Sequence, residues 1–340
     1  MKAMMLHKFG APLEAVDVPR PAPGPGEVLL RVRGCGVCAT DLKLTGGRLP
    51  TIRLPHIPGH EVAGEVVEAG EGVAHPSPGD RVTVYVYVTC GFCRMCRTGR
   101  ENICLNLRGR IGMERPGGFA EYVAVPAANC IRISDRLAWA EAAVLPDAAV
   151  TMYNALVTQA RVGLGDWVVM VGAGGLGAYG IQIAKRCGAQ VIALDVQEAK
   201  LDWAVKLGAD AAFDARSPDR RQRILGLTGG HGADVVANLV GTPESLSEGL
   251  GWLRPGGKLL VVGYSPEHPF PADSYAMHMW ELEIVGVRSA TRQDLAGVVR
   301  LVEAGQLQSA VSQELPLARA NEALAAVKAG SVLGRVCLIP

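Results

Sequence analysis

The absences in this sequence narrow its roles before any motif is read. It has no surplus of charge: 34 lysines and arginines face 33 aspartates and glutamates, for a formal net charge of +1. No long run carries one sign, so neither a nucleic-acid partner nor an anionic membrane surface is expected. Residues 1–30 hold no apolar leader core and no transit-peptide pattern. The one uncharged stretch long enough to span a bilayer, Trp167 to Ala184, is interrupted by glycines and changes from strand to helix period. That combination marks a buried core rather than a membrane span. A disulfide framework is missing too. Nine cysteines is an odd number, and four of them crowd between positions 90 and 104. Without a secretory signal, such clustering reads as metal binding, and a cytoplasmic location is expected.

The chain of 340 residues is too long for one small core, and 42 glycines with 49% apolar residues suit a two-domain α/β protein. Its organising stretch is Trp167 to Asp195. An apolar strand runs into Gly172-Ala-Gly174-Gly175-Leu176-Gly177, a small-residue helix follows, and a second strand ends at Asp195. This is a βαβ unit with a dinucleotide fingerprint. Gly172 permits the tight turn, Gly174 lets backbone approach a pyrophosphate, and Gly177 lets the helix lie close on the strand. The helix N-terminus offers free N–H groups to phosphate. Asp195 can accept both ribose hydroxyls and repel a 2′-phosphate, so NAD is expected over NADP. Strand and helix patterns alternate onward to residue 287, giving about six strands of a doubly wound parallel sheet.

Before residue 147 the pattern is β-rich, with short strands and frequent turns. Within it, Cys90-x2-Cys93-x2-Cys96-x7-Cys104 can close a tetrahedron around one zinc. Four thiolates leave no open position, so this site is structural. Ala138 to Leu145 reads as a helix broken by Pro146-Asp147, with a new helix from 148 to 160 and Asp147 near its start. The tail from 288 is too small to fold alone and is expected to return to the first lobe.

These residues carry a resemblance. Gly34-Cys-Gly-Val-Cys38-x-Thr40-Asp41, Pro58-Gly-His60-Glu61, the four-cysteine lobe, Gly79-Asp-Arg-Val82 and the Gly172 fingerprint stand in the order and spacing of the zinc-dependent medium-chain alcohol dehydrogenases. The resemblance covers nearly the whole chain. It implies a GroES-like catalytic domain over 1–147 with its structural-zinc lobe at 90–104, a Rossmann NAD-binding domain over 148–287, and a return to the catalytic domain over 288–340, with the active site in the cleft. It implies NAD and two zinc ions per chain. Cys38 and His60 match two ligands of the catalytic zinc. Asp147 stands where the third is usually cysteine, and Glu61 matches a nearby carboxylate that is either a supporting group or an exchangeable ligand. Thr40 matches the hydroxyl that takes the alcohol proton. Lys43 stands where the relay often ends in histidine, and His56 or water is a candidate substitute. Thr151 matches a nicotinamide contact, Asp195 and Lys200 the adenosine-ribose clamp, and Arg335 an arginine that reaches the pyrophosphate. Gly175, Leu176, Val240 and Val262 complete the expected cofactor contacts.

The expected activity is reversible hydride transfer between a small alcohol and NAD, with secondary or cyclic alcohols favoured by the aspartate ligand. A homotetramer is preferred to a dimer, with residues 282–287 as the pairing edge. Two other readings make different demands. A zinc-independent reductase of double bonds or quinones would generally lack Cys38, His60 and the cysteine lobe. A non-catalytic NAD-binding relative would carry zinc in the lobe alone. Cys35, Cys130, Cys187 and Cys337 read as buried small side chains.

Overall fold

The computed structural model describes residues 1–266 and 268–340. They form two compact units, Met1–Val150 with Ala290–Pro340, and Thr151–Ser289.

The first unit is built on a seven-stranded sheet. In spatial order its strands are Val311–Pro316, Arg335–Ile339, Glu27–Val37, Glu61–Ala69, Arg81–Val84 and Cys130–Arg132, and Tyr122–Pro126 pairs with Glu27–Val37 off this path. Strand Glu27–Val37 is central, and it is longer than its sequence suggests. It runs on through Gly34-Cys-Gly-Val, where glycine would otherwise signal a turn. A Cβ on Gly34 would press on the Trp139 backbone oxygen, 3.1 Å away, so the missing side chain lets helix Trp139–Val144 lie close against the strand. The buried aliphatic residues Val28, Leu30, Val32, Val62, Val66, Val82, Val84 and Val125 pack into one core with Val336 and Leu338 of the tail.

The second unit is a six-stranded parallel sheet with strands Ala211–Asp214, Gln190–Asp195, Trp167–Val171, Ala233–Asn238, Leu253–Val261 and Glu283–Gly286 in spatial order. The order reverses between Trp167–Val171 and Ala233–Asn238, the switch point beside which doubly wound sheets bind ligands at their carboxyl ends. Near-continuous apolar strands such as Val168–Val171, fully or almost fully buried, are what a sheet covered on both faces requires.

Two expectations need correction. Pro146 does not end its helix. Helical structure continues from Trp139 to Ala160, with π-type turns at Leu145–Ala149 and Asn154–Ala160. The Val150 N–H reaches back five residues to the Leu145 carbonyl, and Pro146 sits in the first turn of this wider segment. The widening removes the need for a proline N–H, and it places Asp147 inside a helix rather than at its cap. Cys130 and Cys187 are only partly buried, whereas Cys35 and Cys337 lie in the core. Among the described residues no helix is long and apolar enough to cross a membrane.

Candidate metal and cofactor sites

The strand Glu27–Val37 ends one residue before Cys38, which caps helix Ala39–Thr45. Asp41 closes that cap: one carboxylate oxygen accepts the Cys38 N–H at 2.9 Å. The other lies 3.3 Å from His60 Nδ1, and both groups are buried. A proton on Nδ1 donated to Asp41 leaves the Nε2 lone pair pointing the other way, toward Cys38 Sγ at 3.3 Å. A tetrahedral cation with bonds of about 2.3 Å to sulfur and 2.0–2.1 Å to nitrogen sets those atoms about 3.5 Å apart. Holding a histidine through its second nitrogen is the usual support of a metal ligand. In sequence, Asp41 reads only as part of a polar helix start. Its link to His60 spans 19 positions and has no local signature.

Glu61 and the Asp147 carboxylate complete the group. The ligand atoms of Cys38, His60, Glu61 and Asp147 all lie within 4.8 Å of one another. Glu61 is fully buried, and neither of its oxygens has a hydrogen-bond partner. Asp147 retains 23% side-chain exposure, so the cluster meets solvent at this residue. Burial pushes the Cys38 thiol above its ordinary range, partly offset by His60. Burial also pushes Glu61 up to about 8, against the Arg335 charge. Burial acts the same way on Asp147, but Arg335 and His60 outweigh it and hold that carboxyl below its ordinary value. Burial disfavours a charged His60, yet Cys38 and Asp41 raise it. Acids this crowded and buried are costly alone, and a divalent cation removes the cost. The donor set therefore fits zinc.

The four-cysteine lobe fits it as well. Sulfur–sulfur distances are 3.5 Å for Cys93–Cys96 and Cys90–Cys104, and 3.9 Å for Cys90–Cys96 and Cys93–Cys104. A regular tetrahedron with zinc–sulfur bonds of about 2.3 Å has edges of about 3.8 Å. The Cys90 and Cys93 N–H groups point at Cys104 and Cys90 sulfur, each at 3.4 Å, as thiolates require.

In the second unit, Gly172 has φ +103°, which favours glycine, and a Cβ on Gly177 would collide with the Gly172 carbonyl oxygen. Gly174 is different. Its backbone is ordinary, and a Cβ there would meet nothing within 4 Å. The fold does not need that glycine, but a ligand lying against the N-terminus of helix Gly175–Arg186 would. Leu176 lies in the first turn of that helix, and Val240, half exposed, flanks Gly172. Val262 follows strand Leu253–Val261, and its N–H donates to the Asn238 carbonyl at 3.1 Å. The Thr151 hydroxyl is buried without a partner, and so is the side-chain nitrogen of Asn238, a residue that no sequence motif marks. Asp195 accepts N–H groups from Ala173 at 2.9 Å, Val196 at 2.8 Å and Gln197 at 3.1 Å. Lys200 lies in the next helix, Glu198–Lys206.

Thr40 is half-buried, with its N–H 3.3 Å from Cys38 Sγ. Lys43 follows it on the same helix, and burial lowers its amine below the ordinary lysine value, with Cys38 opposing. His56 is a poor relay substitute, because its ring is buried against the Gly112 carbonyl at 3.2 Å.

Gly177→Ala is expected to force the helix off the strand. Overpacking of this kind costs about 1–3 kcal/mol. The urea midpoint should fall and NAD affinity with it; an unchanged midpoint would mean the turn yields freely.

Residues 24–135 match the family described as "Alcohol dehydrogenase GroES-like domain", and residues 175–304 the one described as "Zinc-binding dehydrogenase". An alcohol dehydrogenase of Geobacillus stearothermophilus is 36% identical over 342 residues, 99% of each chain. An NAD-dependent alcohol dehydrogenase of Sulfurisphaera tokodaii is 35% identical over 351 residues, with both chains fully covered. The crystal structure of the alcohol dehydrogenase from Aeropyrum pernix superposes with a TM-score of 0.93 at 35% identity, again with both chains fully covered.

Proposed function

The chain belongs to the zinc-type medium-chain alcohol dehydrogenases, and from that premise we propose that it interconverts a secondary or cyclic alcohol and its ketone at the Cys38–His60–Asp147 centre. It is an NAD-dependent enzyme of alcohol oxidation, like the full-length relative from Sulfurisphaera tokodaii. The observation that carries the site assignment is the convergence of four donors from three separate segments within 4.8 Å. The zinc-independent alternative loses its ground, because Cys38, His60 and the cysteine lobe are all present and assembled.

Cys38, His60 and Asp147 would hold the catalytic zinc, with Glu61 beside them, and Cys90, Cys93, Cys96 and Cys104 would hold a structural one. When bound, the catalytic ion supplies Lewis acidity to an alcohol or carbonyl oxygen, and NAD supplies the hydride acceptor. The protein's own part is positional. Asp41 fixes the His60 ring, and the Thr40 hydroxyl is the first group able to take a proton from the alcohol. Gly174 and the helix behind it seat the pyrophosphate, Thr151 offers its unpartnered hydroxyl to the nicotinamide, and Asp195 meets the adenosine ribose with Lys200 nearby. Asp147, the exposed member of the cluster, marks where substrate enters.

We place the enzyme in the cytoplasm, where nine unbridged thiols stay reduced. A homo-oligomer, tetramer before dimer, suits the edge strand Glu283–Gly286, whose Ile284 is exposed, as are Trp280 and Tyr275 in the segment before it.

The test is NAD reduction across primary, secondary, cyclic and polyol substrates, with and without a zinc chelator. Chelator-sensitive turnover, fastest on secondary or cyclic alcohols, is expected. Chelator-insensitive turnover would refute the metal centre, and a preference for primary alcohols would refute the substrate class.

A further inference from the structure

Arg335 opens the last strand, Arg335–Ile339, and is only 6% exposed. Its backbone is fixed by an N–H bond to the Ala310 carbonyl at 2.8 Å. Its guanidinium donates to Asp147 Oδ2 at 2.7 Å, and the same nitrogen lies 3.5 Å from Glu61 Oε1. One cation thus touches both carboxylates of the donor cluster.

The sheet explains how. Cys337 lies opposite Gly36, and Gly36 opposite Glu61, across three adjacent strands. Arg335 and Cys337, two residues apart, share a face. A Cβ on Gly36 would fall on the Glu61 carboxylate. Glu61 therefore lies over the space that Gly36 leaves empty, and it reaches the guanidinium there. The π-type turn at Leu145–Ala149 brings Asp147 to the same group. A carboxylate has two oxygens and Arg335 takes one of Asp147's, which leaves the other for the cation. A cysteine at 147, the usual residue of the resembling family, has a single shorter ligating atom and nothing to spare for the arginine.

Resting on the zinc centre assigned above, we propose that Arg335 is a positioning residue for that centre: it holds Asp147 in its ligand pose and keeps Glu61 tethered beside it. This differs from the pyrophosphate contact that the resemblance implies. The aspartate and the arginine then form one device in which the C-terminal strand orients the third ligand.

The test is zinc affinity, read by competition with a chelator on the full-length protein, with the four-cysteine zinc as an internal reference. Loss of a group that orients a metal ligand typically costs about 10–100-fold in affinity. R335Q should loosen the second zinc by that factor and leave the first unchanged. R335K keeps the buried charge but not the fork, and should fall between. In a D147C background, R335Q should change zinc affinity by no more than about twofold, because its hydrogen bond to residue 147 is already gone and only the longer 3.5 Å approach to Glu61 is left to lose. R335Q with unaltered zinc affinity and a raised KM for NAD would overturn the proposal in favour of cofactor binding. Equal loosening in both backgrounds would overturn it in favour of a general charge effect. A wild-type protein that binds one zinc only would sink the zinc-centre reading itself, and this proposal with it.

Discussion

Asp147→Asn is expected to abolish turnover and release the second zinc, while Asp147→Cys keeps both. The amide has the carboxylate's shape but neither its charge nor its ligand strength. Without the Asp147 carboxylate, the thiolate of Cys38 and the neutral ring of His60 hold a dication poorly, even with Glu61 beside them. The activity lost should be at least about 10³-fold, equivalent to ~4 kcal/mol of transition-state stabilisation. The thiolate of the cysteine variant restores a donor that the family uses, so its rate should stay within about tenfold of the wild type. Stability gives an independent readout. Removing one partner of a buried ion pair costs about 3–5 kcal/mol. Asp147 is 23% exposed and Glu61 lies 3.5 Å from the same guanidinium, which softens the loss. Asp147→Asn should therefore unfold about 1–2 kcal/mol more easily. The checks are zinc per chain by atomic absorption, steady-state rates, and urea unfolding. If the asparagine variant retains both zinc ions and its rate, Asp147 is only a helix residue and the ligand assignment fails.

The parts of this enzyme that could be read from the sequence are those whose cause is local. The fingerprint Gly172 to Gly177 is local because one turn imposes all its glycines. The cysteine lobe is local because 15 consecutive residues carry all four ligands. Helix Ala320–Ala329 and strand Arg335–Ile339 follow directly from their periodicity. The failures arise where distant residues decide. Pro146 reads as a helix breaker, and only the wider π-type turn lets the helix pass through it. Strand Val311–Pro316 interrupts its two aliphatic residues with Ser312, Gln313 and Glu314 and carries no strong strand signal, yet it pairs with Arg335–Ile339 at the sheet edge. Asp41 reads as part of a polar helix start, and it does close the Cys38 cap, but its second oxygen supports His60. Arg335 meets Asp147 across 188 positions, a contact that no window of sequence contains. The cofactor and metal motifs were therefore legible, while the groups that orient them were not.

Asp195→Asn should shift the cofactor preference toward NADP by about 100-fold, ~2.7 kcal/mol, in the ratio of kcat/KM values. A carboxylate has roughly four acceptor sites. At Asp195 the N–H groups of Ala173, Val196 and Gln197 take three of them, which leaves about one for a ribose hydroxyl rather than the two expected from sequence. Most of its discrimination must then come from charge, through repulsion of a 2′-phosphate. Asparagine removes the charge and keeps the size. With NAD the variant loses one charge-assisted bond and should fall about threefold to tenfold. With NADP it loses the repulsion and should gain at least tenfold. The amide also turns a donor toward backbone N–H groups that the carboxylate accepted, so unfolding should become easier by about 1–2 kcal/mol. Measuring both cofactors on one alcohol separates these effects. A proportional fall with NAD and NADP would mean that Asp195 only braces the fingerprint turn. A rise with NADP against a fall with NAD would show that one negative charge at the end of strand Gln190–Asp195 selects the cofactor.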